Sequence, residues 1–240
     1  MLIFPAIDLK DGAVVRLYKG DFATVHQVAD DPLATAEAFL AAGARHIHMV
    51  DLDGAKDGQR KNGDIVRAVA ATGLRVELGG GIRSMADLEA VFSLGVWRAV
   101  IGSAAVSDPD FVREAIARYG PEKVAVGIDA KDGHVRTAGW VRDEGLDYLQ
   151  FAKSMESIGV KYIIFTDIDT DGTLSGPALG RLEALQKAVG CAITASGGVS
   201  SNGDLRRLRD MGLYAAIVGK AWYAGAVDLA LAVEEGGDQA

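Results

Sequence analysis

Short apolar runs alternate with longer segments of helical period from one end of the chain to the other. The runs are LIFPAID (2–8), HIHMVD (46–51), RVELGG (75–80), RAVIGS (98–103), KVAVGID (123–129), YIIFTD (162–167), CAITAS (191–196) and AAIVGK (215–220), which predict eight strands. Between them, PLATAEAFLAAG (32–43), SMADLEAVFSLG (84–95), DPDFVREAIARYG (108–120) and SNGDLRRLRDMG (201–212) read as helices, several with a polar cap in front and glycine behind. Continuous apolar runs are expected of strands covered on both faces. Eight such units in 240 residues fit a closed (β/α)8 TIM barrel, with its site at the carboxyl ends of the strands. An open doubly wound sheet would carry phosphate-binding glycines after the first strand, where this chain has KDG.

Hydrophobic residues make up 49% of the chain and charged ones 24%, which is enough for a large core, and 30 glycines against 5 prolines call for many tight turns. A net charge of −8 leaves no general basic surface for nucleic acid or an anionic membrane, so an anionic ligand has to be held locally. The single cysteine, Cys191, excludes an intrachain disulfide. With no basic leader and no apolar run long enough to span a bilayer, the expectation is a cytoplasmic protein, a monomer, acting on a small molecule.

Four motifs occur twice, in the same order and at a nearly constant spacing close to half the chain. AIDLKDGAV (6–14) pairs with GIDAKDGHV (127–135), VDLDGA (50–55) with TDIDTDGT (166–173), GGGIRS (79–84) with SGGVSS (196–201), and IGSAA (101–105) with VGKAW (218–222). Such a repeat predicts one domain, 1–240, built from two (βα)4 halves of about 1–120 and 121–240. Asp8 and Asp129 then face each other across the barrel mouth. A carboxylate there costs free energy unless it is paired, hydrated or protonated. Each aspartate either caps the KDG turn that follows it, or the two divide acid and base work between them. The glycine sets after strands three and four and after strands seven and eight can aim backbone N–H groups at an anion. Two such cups imply a substrate with a phosphate at each end.

Taken together, PAIDLKDGAVVRLYKGD, LGGGIRS, GIDAKDG, TDIDTDGTLSGP and ASGGVSS resemble the ProFAR isomerases of histidine biosynthesis over the whole chain. The resemblance implies a cofactor-free, metal-free Amadori rearrangement of a bisphosphorylated aminoaldose to an aminoketose. It makes Asp8 the base and Asp129 the acid, and assigns the phosphates to Gly81, Gly102 and Ser103 on one side and Gly198, Gly219 and Lys220 on the other. The cyclase subunit of imidazole glycerol phosphate synthase is similar but typically has cysteine near the position of Ala6, and phosphoribosylanthranilate isomerase uses a cysteine base where this chain has Asp8. Some actinobacterial members of the ProFAR family also isomerise phosphoribosylanthranilate, which leaves a bifunctional enzyme as the alternative. A phosphate-binding barrel without catalysis would be expected to lack one of the two aspartates.

Arg16 and Arg83 lie on mouth loops and either balance substrate charge or are solvated. Thr166 either hydrogen-bonds the ribose or fills space, and Trp140 either stacks on the imidazole base or staples its loop. His46 and His48 read as plain strand residues, one facing the helices and the other the barrel. DTDGTLSGP lacks the spacing of a calcium loop and reads as a loop over the site.

Overall fold

The structure, a computed structural model, describes residues 1–18, 21–58 and 60–237. Lys19 and Gly20 of the first motif lie outside these described residues. The described residues form twelve strands: β1 Leu2–Lys10, β2 Ala13–Tyr18, β3 Asp21–Ala29, β4 His46–Asp51, β5 Arg75–Gly79, β6 Arg98–Ile101, β7 Val124–Lys131, β8 His134–Thr137, β9 Arg142–Asp147, β10 Tyr162–Asp167, β11 Ala192–Ser196 and β12 Ala215–Val218. The helices are α1 Pro32–Ala41, α2 Leu52–Asp57, α3 Gly63–Ala71, α4 Met85–Phe92, α5 Ser103–Ser107, α6 Pro109–Tyr119, α7 Tyr148–Ser157, α8 Leu179–Ala188, α9 Asn202–Asp210, α10 Lys220–Tyr223 and α11 Leu229–Gly236.

Eight strands close a parallel ring in the order β1, β4, β5, β6, β7, β10, β11, β12 and back to β1. These are the eight expected runs, so the chain is a (β/α)8 TIM barrel. The remaining four strands were not expected. β1 and β7 run on past the barrel rim into antiparallel hairpins, β2–β3 after the first KDG and β8–β9 after the second.

Alternation along each barrel strand separates two cores. Odd positions of β1, such as Ile3 and Ile7, join Ile47, Leu78, Ile128 and Phe165 in the layer under the helices. Phe4 and Ala6 point inward and pack with Val100, Ala125, Ile164 and Ile217 inside the barrel. The helices start where their caps dictate: Asp31 and Asp108 each stand before a proline that opens α1 and α6. Ser84 and Ser201 accept from the backbone N–H of Asp87 and Asp204, both at 3.2 Å. Those two aspartates in turn accept from the N–H of Arg83 and Ser200, both at 3.0 Å. α4 and α9 thus begin with the same reciprocal cap. Among the described residues no helix is long and apolar enough to cross a membrane.

Candidate active site

β1 and β7 stand opposite each other in the eight-strand ring, and inward alternation places Asp8 and Asp129 at its mouth. There they line one cavity of about 420 Å³, together with Gly81, Arg83, Gly102, Ser103, Thr166, Gly198, Gly219 and Lys220. Every site residue expected from the sequence is therefore part of a single concavity.

The two aspartates have opposite surroundings. Asp8 accepts from Arg16 Nη1 at 2.7 Å. Arg16 is buried, its second nitrogen donates to the Ala6 carbonyl, and its guanidinium lies 4.9 Å from the centre of the Tyr223 ring. Tyr223 donates to the same carbonyl at 3.0 Å. Asp8 therefore has a buried guanidinium against its carboxyl group. Asp129 forms no ion pair among the described residues; the neutral indole of Trp140 donates to it from Nε1 at 2.7 Å. Burial pushes Asp129 above the ordinary carboxylate range, against the hydrogen bonds from Trp140 and Thr166 and the charge of His48.

Neither aspartate caps the KDG turn that follows it. The turn N–H groups of Asp11 and Asp132 go to Asp53 and Asp169 instead, which removes the local-capping explanation for Asp8 and Asp129. Arg16 is not a solvated loop residue, and Trp140 holds a carboxylate. Trp140 also adopts φ +73°, a left-handed backbone that a bulky residue takes only under constraint. Both histidines face the barrel interior, because residues two apart in a strand share a face. His46 packs on Phe4 and Trp97, and His48 lines the cavity with Nδ1 3.1 Å from the buried Glu77.

Asp171 is the functional candidate that sequence reasoning missed. It lies in the loop after β10 and lines the cavity. Burial, and next the charge of Asp8, push its carboxyl up to about 7, opposed by Arg16 and Lys220. Its only sequence signal is a third aspartate in DIDTDGT without a packing role.

The glycines answer two different needs. Gly81 and Gly198 have φ of +72° and +81°, and a Cβ on either would sit 2.2 Å from the carbonyl oxygen of Gly54 or Gly176. They are glycine because another loop's backbone passes against them. A Cβ on Gly102 meets nothing within 4 Å, and one on Gly219 meets only the end of the Arg16 side chain. Gly102 and Gly219 begin α5 and α10 without any side-chain cap, so the leading N–H groups there lack a side-chain acceptor. Ser103 Oγ accepts from Ala138 N at 3.1 Å, Lys220 Nζ donates to Gly172 O at 2.7 Å, and Arg83 Nη2 donates to Ala55 O at 2.7 Å.

The cavity thus sets two carboxyl groups in unlike surroundings on opposite strands, with glycine-rich backbone at the ends of the strands between them. Residues 2–228 match the family described as histidine biosynthesis protein. Curated proteins named 1-(5-phosphoribosyl)-5-((5-phosphoribosylamino)methylideneamino)imidazole-4-carboxamide isomerase are similar throughout. The one from Listeria welshimeri is 51% identical over 231 residues, 95% of each chain. That from Clostridium acetobutylicum is 48% identical over 97% of this chain and 98% of its own. That from Bacillus thuringiensis is 48% identical over 95% and 96%.

Proposed function

The chain belongs to the histidine biosynthesis protein family, and from that premise we propose that it is the aldose–ketose isomerase that converts the aminoaldose ProFAR to the aminoketose PRFAR. The observation that carries this reading is the contrast between Asp8, ion-paired with Arg16, and Asp129, hydrogen-bonded by the neutral Trp140 indole and raised in pKa by desolvation. Two carboxyl groups in unlike surroundings, one against a cation and one against a neutral donor, can divide the acid and base work of such a reaction.

Asp129 protonates the furanose ring oxygen while the amino nitrogen lone pair expels it from C1, leaving a Schiff base and a free 4-hydroxyl. Asp8 then takes the C2 proton, and the C–H electrons become the C1–C2 double bond of an enaminol. Protonation at C1 and loss of the 2-hydroxyl proton give the ketone. Asp171 lines the same cavity as Asp8, with its carboxyl pushed up to about 7 by burial and the charge of Asp8, and is assigned the proton that Asp8 must shed. The oxidation at C2 is matched by reduction at C1 within one molecule, so the chemistry needs neither cofactor nor metal.

One phosphate is assigned to the backbone around Gly81, Gly102 and Ser103, near Arg83, and the other to that around Gly198, Gly219 and Lys220. Thr166, paired in register with Asp129, orients the acid and the ribose. The barrel is read as two (βα)4 halves, about 1–120 and 121–240, because motif pairs share their local geometry: Gly102 and Gly219 have φ/ψ of −96°/−110° and −101°/−107°. The enzyme is taken to work as a cytoplasmic monomer on a free small molecule, without nucleic acid or membrane.

The test is a spectrophotometric assay of purified protein with ProFAR, run beside phosphoribosylanthranilate. Turnover of ProFAR is expected. Absence of turnover, with the ligand bound, would leave a phosphate-binding barrel; turnover of both would make the enzyme bifunctional.

A further inference from the structure

Each half of the chain carries an Asp-x-Asp segment, Asp51 and Asp53 after β4, Asp167 and Asp169 after β10. Neither segment belongs to the chemistry above, and the two are used in the same way. The first aspartate of each caps its own loop: Asp51 accepts from Gly54 N at 3.0 Å and Asp167 from Thr170 N at 3.2 Å. The second reaches sideways to the neighbouring barrel strand. Asp53 Oδ2 accepts from Asp11 N at 2.8 Å, and Asp169 Oδ2 accepts from Asp132 N at 3.1 Å.

Asp11–Gly12 and Asp132–Gly133 are the two-residue turns of the β1–β2 and β7–β8 hairpins, closed by the pairs Lys10–Ala13 and Lys131–His134. All four residues have positive φ, between +48° and +83°, as a type I′ turn demands. In such a turn the N–H of the first central residue points out of the ladder and lacks a partner within the hairpin. The second aspartate of Asp-x-Asp supplies that partner in both halves.

Each acceptor is itself held. Asn62 donates to Asp51 at 2.8 Å and to Asp53 at 2.9 Å, and accepts from Gly12 N at 3.0 Å. In the other half, Arg181 bridges Asp167 and Asp169 at 2.5 and 2.8 Å. The secured hairpins carry the two side chains that distinguish the catalytic carboxylates: Arg16 on β2, bonded to Asp8, and Trp140 between β8 and β9, bonded to Asp129.

We propose that Asp53 and Asp169 are positioning residues, paired latches that lock the two hairpins and, through them, hold Arg16 and Trp140 against Asp8 and Asp129. This rests on the isomerase reading only for its kinetic consequence. It also accounts for the doubled KDG, which supplies the turn N–H that the latch grips.

Asp169 is a third exposed, so Asp169→Ala is the primary variant. Asp169→Asn keeps an oxygen acceptor, and Asp53→Ala probes the other half. Hydrogen–deuterium exchange should rise in 131–147 for Asp169→Ala and in 10–18 for Asp53→Ala, each variant loosening its own hairpin. Acrylamide quenching of Trp140, isolated by subtracting the Trp140→Phe protein, should increase in Asp169→Ala. With ProFAR, kcat of Asp169→Ala should fall about tenfold with KM within about threefold, because geometry is lost while the anion cups remain; Asp169→Asn should recover most of it. Unchanged exchange and quenching, or wild-type kcat in a demonstrably loosened Asp169→Ala, would overturn the proposal. Exchange and quenching use no substrate, so a wild-type protein that fails to turn over ProFAR would refute the isomerase and leave the latch to be decided by those two measurements.

Discussion

Replacing Asp171 by asparagine removes a charge from the cavity wall at nearly constant shape, and the protein should become more stable for it. The carboxyl titrates at about 7 in the folded protein against 3.8 for an unperturbed aspartate. Because the folded value is raised, folding favours the protonated form. The penalty is absent below the unfolded value, grows as pH rises from about 4 to about 7, and is complete above that. The gap between those two titration points corresponds to about 4 kcal/mol at pH 8 and about 2 kcal/mol at pH 5.5. Asp171 is only half-buried and borders an open cavity, so water screening brings the pH 8 figure down to about 2–3 kcal/mol. Urea unfolding of Asp171→Asn and the parent at both pH values measures the difference in stability, which should open on going from pH 5.5 to pH 8. Equal stability at pH 8, or a difference that widens on acidification, would refute the assignment of a raised carboxyl to this residue.

Asp8→Asn should abolish turnover while a bisphosphate ligand still binds within about tenfold, since the group moves a proton and holds no phosphate; calorimetry alongside the assay checks both. Gly102→Val should raise KM strongly with little loss of stability, because its side chain enters open cavity, whereas Gly81→Val should lower the melting temperature by driving Cβ into the Gly54 carbonyl. Trp140→Phe removes a hydrogen bond to the charged form of Asp129, so the alkaline limb of kcat/KM that follows loss of that proton should move to higher pH by about one to two units. Residues 1–120 and 121–240 expressed separately should be unstable or self-associated, with activity only on mixing, because Asp8 and Asp129 lie in different halves and each half leaves open sheet edges; turnover by 121–240 alone would contradict two aspartates in two roles.

The eight barrel strands and the helices over 32–43, 84–95, 108–120 and 201–212 are legible in the sequence because each is written in a local pattern. Apolar runs mark strands buried on both faces, and a cap with a following glycine marks each helix end. Period-two alternation and strand-end position also place Asp8 and Asp129 at the mouth, and the repeat puts them on opposite strands. What a residue at the mouth touches is not local, and no pattern along the chain encodes it. The KDG turn is visible, but the strands β2, β3, β8 and β9 that it launches are not; in β9 the run RDEGLD has no fully buried position and so carries no apolar alternation. Arg16 and Trp140 are ambiguous in sequence, since a long side chain eight or eleven residues from its carboxylate meets it only when the hairpin folds back over the barrel. Asp171 cannot be ranked above its neighbours for the same reason: its proton affinity is set by burial and by Asp8 and Arg16 from the far half of the chain. Backbone pattern is encoded within a few residues, whereas the field at a carboxyl group sums over everything the closed barrel brings within several ångströms of it.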